Sequence, residues 1–142
     1  MANGIQQQKN AIKKIMQFHN AKLFDFRKEC LDESEYDKII ENEKAIEAIN
    51  AYLNAFEEIA CMYNIGAFDK KYAYSQFSAG MIFCHKYFEL MINYFRNQDN
   101  DELLYIELER LAKEWETKDA KEKKKVLKMR NRLSSKLGKL GK

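Results

Sequence analysis

Apolar side chains recur every three or four residues along most of this chain, and this spacing predicts an all-α protein. The first such pattern covers Ile5–Leu31, with the polar pair His19-Asn20 as a candidate bend. Asp32 or Ser34 is then placed to cap the next helix, because a short oxygen-bearing side chain accepts a hydrogen bond from the first free backbone N–H groups.

The clearest pattern is a heptad repeat in the second predicted helix. It consists of two rows, Ile39, Ile46, Leu53 and Ala60, and Asn42, Ile49, Phe56 and Tyr63. This repeat predicts the seam of an antiparallel bundle or coiled coil, in which Asn42 would fix the register. The same seam is also a surface through which two chains could pair as a homo-oligomer. Gly66 predicts the end of this helix, since glycine adopts the left-handed cap conformation without strain.

The second half of the chain continues the helical pattern. Asp69 is a favourable N-cap for a helix that begins at Lys70, and Gly80 is a local weak point. Met81–Phe95 is apolar on nearly all sides, which is typical of a central helix. After a polar break at Asn97–Asn100, an amphipathic helix carries one apolar stripe of Leu104, Leu108, Leu111 and Trp115. These patterns predict a single bundle of four or five helices that ends in a basic amphipathic helix.

The composition is that of one folded domain. The 142 residues are 46% hydrophobic and 13% aromatic, which is too apolar for a disordered chain, and they include no proline. The first ten residues lack the apolar segment of a signal peptide, and no stretch is long enough to span a membrane. Three widely separated cysteines, Cys30, Cys61 and Cys84, predict free thiols. Cys61 and Cys84 lie in apolar helical stripes, which predicts that they are small core residues. We therefore expect a cytoplasmic protein.

Charge divides the chain near Thr117. Residues 118–142 hold 11 Lys or Arg against two acids, a net charge of +9, whereas residues 1–117 hold 14 against 20, a net charge of −6. We therefore predict two parts, a helical bundle at 1–117 and a basic C-terminal helix or tail at 118–142.

The tail is the first candidate binding element. Five of its apolar residues fall on one narrow helical stripe: Val126, Met129, Leu133, Leu137 and Leu140. Its candidate ligand-binding residues are Lys123, Lys124, Lys125, Lys128, Arg130, Arg132 and Lys136. A basic amphipathic helix binds a nucleic-acid backbone, an anionic membrane surface or an acidic partner. Alternatively, the stripe packs on the acidic body of the same chain.

A second candidate surface is aromatic. The residues around the Gly66 turn exceed what one helix face can bury, and we predict that some of them form a patch for a protein partner: Tyr63, Phe68, Tyr72, Tyr74 and Phe77.

Common catalytic and cofactor-binding patterns are absent from the sequence. Neither His19 nor His85 has a glutamate three residues before it, as bundle metal sites require, and neither follows an arginine at the spacing of small helical ribonucleases. No glycine-rich phosphate loop occurs. Glu57 and Glu58 belong to a solvated face, or one of them is a buried hydrogen-bonding partner. We expect no metal, no cofactor and no enzymatic activity.

Parts of the chain resemble a known family. The segments Tyr52–Ala60 and Gly66–Asp69, followed by Leu111 and Trp115, are similar to small helical bacterial and phage proteins known only as a domain of unknown function. The resemblance covers about Ala51–Trp115. Several relatives carry an N-terminal membrane helix, which this sequence lacks. The resemblance implies a helical fold and supplies no catalytic residue, and its association with mobile elements favours a phage or defence-related role.

The sequence therefore predicts a non-enzymatic protein-interaction module. One form of this hypothesis is a phage or mobile-element accessory protein that binds and inhibits a bacterial defence factor acting on nucleic acid. The alternative is direct nucleic-acid binding through the basic tail, with an affinity that depends steeply on salt.

Overall fold

The computed structural model describes residues 3–140, which form six α-helices. They are α1 (Asn3–Asn20), α2 (Glu33–Ile40), α3 (Glu43–Asn64), α4 (Lys70–Tyr87), α5 (Glu89–Gln98) and α6 (Ile106–Leu140). No strand occurs in the described residues, and the all-α prediction is confirmed. There are more helices than the expected four or five because two predicted helices are each divided by a local break.

The first predicted helix ends earlier than its apolar pattern. Lys22 adopts a φ of 63°. Its N–H donates to the carbonyl of His19, and the N–H of Leu23 donates to that of Phe18. These two hydrogen bonds form a Schellman cap, which ends α1 at Asn20. The apolar side chains that follow pack as a loop, in which Phe24 and Leu31 are buried.

A break between α2 and α3 separates Ile39 from the rest of the heptad row. Asp32 caps α2 as expected, and the backbone N–H of Asp32 donates a hydrogen bond to the Glu35 side chain. Asn42 was predicted to lie inside the seam, but it is the N-cap of α3, where its side-chain oxygen accepts from the N–H of Ala45 at 3.1 Å. The prediction that Asn42 fixes a register is wrong, because an asparagine oxygen is better satisfied at a helix start.

The predicted helix at 81–95 is also two helices. Phe88, with φ −99° and ψ 21°, separates α4 from α5, and its buried ring meets those of Phe24 and Tyr52 edge-on. Gly80 is not a weak point, since it lies within α4. A Cβ at this position would lie 3.1 Å from Cζ of Phe56, and glycine therefore permits close packing of α4 on α3.

Helix α3 is the centre of the bundle and contacts α1, α2, α4 and α6. Ile49, Leu53 and Ile59 are completely buried, and both heptad rows face other helices of the same chain over most of their length. The seam is therefore occupied within one chain and is not a free surface for pairing two chains.

Helix α6 begins under a cap that α3 supplies. Oε1 of Glu57 accepts a hydrogen bond from the N–H of Leu108 at 2.6 Å, which satisfies one of the free donors at the start of α6. Burial raises the pKa of the Glu57 carboxyl, and the hydrogen bonds from the backbone of Leu108 and Glu107 oppose that rise. Glu57 is thus a hydrogen-bonding partner, as one of its two expected roles had it, but it is half-buried rather than buried.

Helix α6 extends past the end of the bundle. It runs antiparallel to α4, since His85 faces Glu109 and Tyr74 faces Asp119. Trp115 is its last buried residue, and every residue at 120–140 is exposed. The predicted boundary after residue 117 lies inside this continuous helix. The outer ends of the two predicted parts, residues 1–2 and 141–142, lie outside the described residues.

In residues 3–140, every helix is too short or too polar to cross a lipid bilayer.

Gly66 provides a test of the turn between α3 and α4. It has a φ of 79°, as its predicted cap role requires, and no atom lies within 4 Å of a Cβ added there. Gly66→Ala should lower the free energy of unfolding by roughly 1–2 kcal/mol, because the left-handed backbone strains any residue with a Cβ. Urea denaturation measures this difference. Gly138→Ala is the matched control in open helical space and should not lower stability. Equal losses in both variants would contradict this role of Gly66.

Candidate functional site

The projecting part of α6 presents an apolar face to solvent. We call this face the uncovered stripe, and it consists of Val126, Met129, Leu133, Leu137 and Leu140. The relative exposure of these residues ranges from 49% to 82%. Leucine, valine and methionine side chains that line up along one helix face normally pack against another element. Because all five residues are exposed, the alternative in which the stripe packs on the body of the same chain is wrong.

The uncovered stripe continues the face by which α6 packs on the bundle. Eighteen residues make five turns of an α-helix at about 3.6 residues per turn, so positions eighteen apart share a face. Each of three buried residues of α6 has a stripe residue eighteen positions later: Leu108 has Val126, Leu111 has Met129, and Trp115 has Leu133. The tail thus exposes a helix-packing face beyond the point where α3 and α4 end.

The turn between α3 and α4 lies at the base of the stripe. The Tyr74 hydroxyl is 3.5 Å from Oδ1 of Asp119, and Nζ of Lys118 is 4.1 Å from the centre of the Tyr74 ring. In this turn, Ile65 is 81% exposed and Tyr72 is 50% exposed, but Tyr72, two positions before Tyr74, lies on the side of α4 away from α6. We call the angle between this turn, residues 64–72, and the uncovered stripe the corner. It is the place where a further helix could pack end-on against the bundle and side-on against α6.

Most of the predicted aromatic patch belongs to the bundle. Phe77 is a core residue with 7% exposure, and Phe68 packs against it with a centroid separation of 5.7 Å. Tyr63 and Tyr74 are half-buried and meet the Trp115 ring edge-on. Tyr72 alone of the five predicted residues is exposed.

Ile65 is the most exposed large apolar residue of the bundle, and sequence reasoning missed it. It is the C-cap residue of α3, immediately before Gly66. A residue at the C-cap follows the end of the helical periodicity, and the apolar spacing therefore does not assign it to a face. The predicted helix end at Gly66 was the available sequence signal, because a helix that ends there leaves Ile65 at the tip of the turn.

The predicted basic residues of the tail all lie in solvent. They are Lys123, Lys124, Lys125, Lys128, Arg130, Arg132 and Lys136. Two of them form ion pairs at the base of the tail, where Lys123 lies 3.2 Å from Asp119 and Lys125 lies 3.9 Å from Glu122. Helical geometry places Lys123 and Arg130 along one edge of the stripe, and Lys125 and Lys136 along the other. The stripe is therefore bordered by cations on both sides.

A lysine-rich groove lies between the C-terminal end of α4 and one side of α6. Its volume is about 610 Å³ and it is open to solvent, with a lining of His85, Lys86, Lys113, Glu116, Thr117, Ala120, Lys121 and Lys124. Nζ of Lys86 is 3.1 Å from Oε1 of Glu116, the only acid of the lining. The groove continues the positive charge of the tail back onto the bundle.

The cysteines and acids of the described residues form no recognisable chemical centre. No group of three or more His, Cys, Asp or Glu within 3–140 is arranged to hold a metal ion. Cys84 is a core residue as expected, and burial raises the pKa of its thiol, which disfavours the nucleophilic thiolate. Cys30 and Cys61 are free and exposed, so the expectation of a core role is wrong for Cys61.

The fold and the site define an all-α bundle protein with one helix extended as a basic arm. The chain belongs to the family described as a domain of unknown function, DUF4760, whose model matches residues 1–115. This match confirms the resemblance to a domain of unknown function and extends it to residues 1–115. The match ends at Trp115, the last buried residue of α6. No curated protein and no solved structure matches the chain.

Two residues on the same face of α6 test whether the stripe is uncovered. Trp115 is buried between Tyr63 and Tyr74, whereas Leu133, five turns later, is exposed. Trp115→Ala should lower the free energy of unfolding by about 3–5 kcal/mol, through lost apolar contact and a residual cavity. Leu133→Ala should change it by less than about 0.5 kcal/mol. Chemical denaturation followed by circular dichroism compares the two, and a large loss for Leu133→Ala would mean that the tail is packed.

Proposed function

We propose that this chain is a non-enzymatic protein-interaction module, and that the uncovered stripe and the corner form its binding surface. The observation that carries this proposal is the continuity of the stripe with the packed face of α6. Five apolar side chains are exposed to solvent, and their spacing along α6 is that of a packed helix face. Their spacing of three and four residues is the one used when a helix is recognised in an apolar groove.

The position of the bundle favours a protein as the partner over a membrane. The stripe lies on the face of α6 that carries α3 and α4, so the bundle stands on the same side of α6 as the stripe. A flat bilayer that approached the stripe would meet the end of the bundle, at the turn between α3 and α4, first. A helix of another protein is narrow enough to enter the corner, since its diameter is about 10–12 Å.

The apolar area gives such a complex its driving force. Complete burial of one Leu, Val or Met side chain contributes roughly 1.5–3 kcal/mol. Five stripe residues therefore offer a gross contribution of several kcal/mol, from which the costs of association are subtracted.

The proposed role extends to a phage or mobile-element accessory protein that inhibits a bacterial defence factor. Its support is the mobile-element association of the resembling proteins, together with the separation of charge along the chain. Residues 1–117 have a net charge of −6 and residues 118–142 a net charge of +9. A factor that handles nucleic acid could meet the acidic body as a substitute for nucleic acid, or the tail as a clamp.

The second candidate function is direct binding of nucleic acid, and the lysine-rich groove favours it. Lys113, Lys121 and Lys124 lie along one side of α6 and lead from the groove into the tail. A row of lysines neutralises phosphates without reading sequence. This function would use the cations and leave the uncovered stripe in water.

Capture from a nuclease-treated bacterial lysate distinguishes these two functions. The tagged full-length protein should capture a defined protein, and Leu133→Ser/Leu137→Ser should lose it because the apolar contact is gone. Lys124→Ser/Lys128→Ser is the matched control, since these lysines lie on the opposite side of α6 from the stripe. Mass spectrometry identifies the captured protein. Capture that survives the leucine variant would contradict the interaction proposal.

Direct nucleic-acid binding predicts a different dependence on conditions. Affinity for a short DNA duplex should fall by about 10³-fold or more between about 50 and 200 mM salt, because several neutralised phosphates release counterions. Fluorescence anisotropy measures this affinity. The leucine variant should bind as the wild type does, and the lysine variant should bind more weakly. The absence of measurable duplex binding at low salt would exclude this candidate.

A further inference from the structure

We infer that the segment that binds the uncovered stripe is an acidic amphipathic helix of a partner protein, which lies along α6 and ends in the corner. This inference rests on the proposed protein-interaction function and names the chemistry of its partner. It uses three features of the described residues: the charge along the edges of the stripe, the length of the exposed helix, and the shape and charge of the corner.

The edges of the stripe select an acidic partner. Residues 123–140 carry eight Lys or Arg and no Asp or Glu. When two helices pack along an apolar seam, the residues that flank the seam on one helix face those that flank it on the other. A partner with Glu or Asp at its flanking positions would meet Lys123 and Arg130 along one edge, and Lys125 and Lys136 along the other. A partner with basic flanks would be repelled along the full length of the seam.

The same charges argue against a second copy of this chain. Two tails laid stripe to stripe would oppose lysine and arginine on both edges, and like charges across an interface are destabilising. The acids closest to the stripe, Asp119 and Glu122, lie at its base and already pair with Lys123 and Lys125. Self-association would therefore bring two strongly basic segments together with few compensating acids.

The corner fixes the length and the position of the partner helix. The exposed segment at 123–140 is about 27 Å long at 1.5 Å per residue, which corresponds to five turns. At its inner end lies the turn between α3 and α4, in which Ile65, Lys70 and Lys71 are exposed. The partner helix would thus end on an apolar tip with cations next to it, and this again favours acidic residues.

A set of three synthetic peptides tests this chemistry. Each contains three heptads, about 21 residues. The first has Leu at the two seam positions and Glu at the flanking positions. The second replaces Glu with Lys, and the third replaces Leu with Ser. With the full-length protein, isothermal titration calorimetry should give the Leu/Glu peptide a Kd at least about tenfold lower than either control, because the stripe and its edges must both be matched.

Protein variants assign the binding to the stripe. Leu133→Ser/Leu137→Ser should weaken binding of the Leu/Glu peptide by at least about tenfold. Lys123→Glu/Arg130→Glu should reduce or reverse the preference for Glu over Lys flanks, because it changes the charge of one edge. Lys124→Ser/Lys128→Ser, on the opposite side of the helix, should bind as the wild type does. Circular dichroism of each variant establishes that the helices are retained.

Four outcomes would overturn the inference. They are failure of the Leu/Glu peptide to bind, equal binding of the Leu/Lys peptide, equal binding of the Ser/Glu peptide, and dimerisation of the wild type that light scattering detects and that the leucine variant loses. The capture experiment separates this inference from the proposed function. If a lysate protein is captured through the stripe while the Leu/Glu peptide does not bind, the interaction function stands and the acidic partner does not. If neither binds, both fail.

Discussion

The contact of Trp115 with Tyr63 and Tyr74 determines where the bundle ends and where the arm begins. The indole is almost fully buried, and the two tyrosine rings meet it edge-on from the ends of α3 and α4. Aromatic pairs in this arrangement contribute roughly 0.5–1.5 kcal/mol beyond the area that they bury. The contact holds α6 against both neighbouring helices about one turn before the last contact of α6 with α4, that of Asp119 with Tyr74. Its position therefore decides which residues of α6 are covered and which remain in water.

The arm inherits its helical structure from the packed half of α6. An isolated helix of this length is marginal in water because its first turn is costly to form. Here the first turns form within the bundle, under the cap provided by Glu57 and above buried Leu108 and Leu111. The exposed residues only extend an existing helix, one residue at a time. A basic segment that would be weakly helical alone is thus presented as a helix with a defined apolar face, and this arrangement reduces the ordering cost of binding.

The sequence predicted the elements that depend on local chemistry, and it failed where tertiary contacts decide. Asp32, Asp69 and Gly66 have the cap and turn roles that their side chains or their lack of one predict. The candidate bend at His19-Asn20 coincides with the end of α1, but lysine at position 22 gave no sign of the left-handed residue in its cap. The break at Phe88 was equally hidden, since an apolar ring in an apolar segment gives no sign that the chain bends around it.

The candidate site shows the same division. The basic and apolar positions of the tail were evident from their spacing, but the spacing could not show that the stripe is left uncovered. That depends on how far α4 reaches along α6, and therefore on the Tyr74 contact with Asp119. The aromatic residues near Gly66 were correctly seen as too many for one helix face. Which of them are buried depends on the approach of α6, which places Tyr63 and Tyr74 against Trp115 and leaves Tyr72 in solvent.

Trp115 is the single tryptophan of the chain, and it lies at the junction between bundle and arm. Its fluorescence therefore originates from one known position, shielded from water by two tyrosines that can transfer excitation energy to it. A partner seated in the corner would lie next to this cluster, and any adjustment of α6 against α3 and α4 would alter the local environment of the indole. The tryptophan is thus an intrinsic fluorescent probe beside the candidate binding surface. A change in the emission spectrum of the unlabelled protein would report binding at that surface.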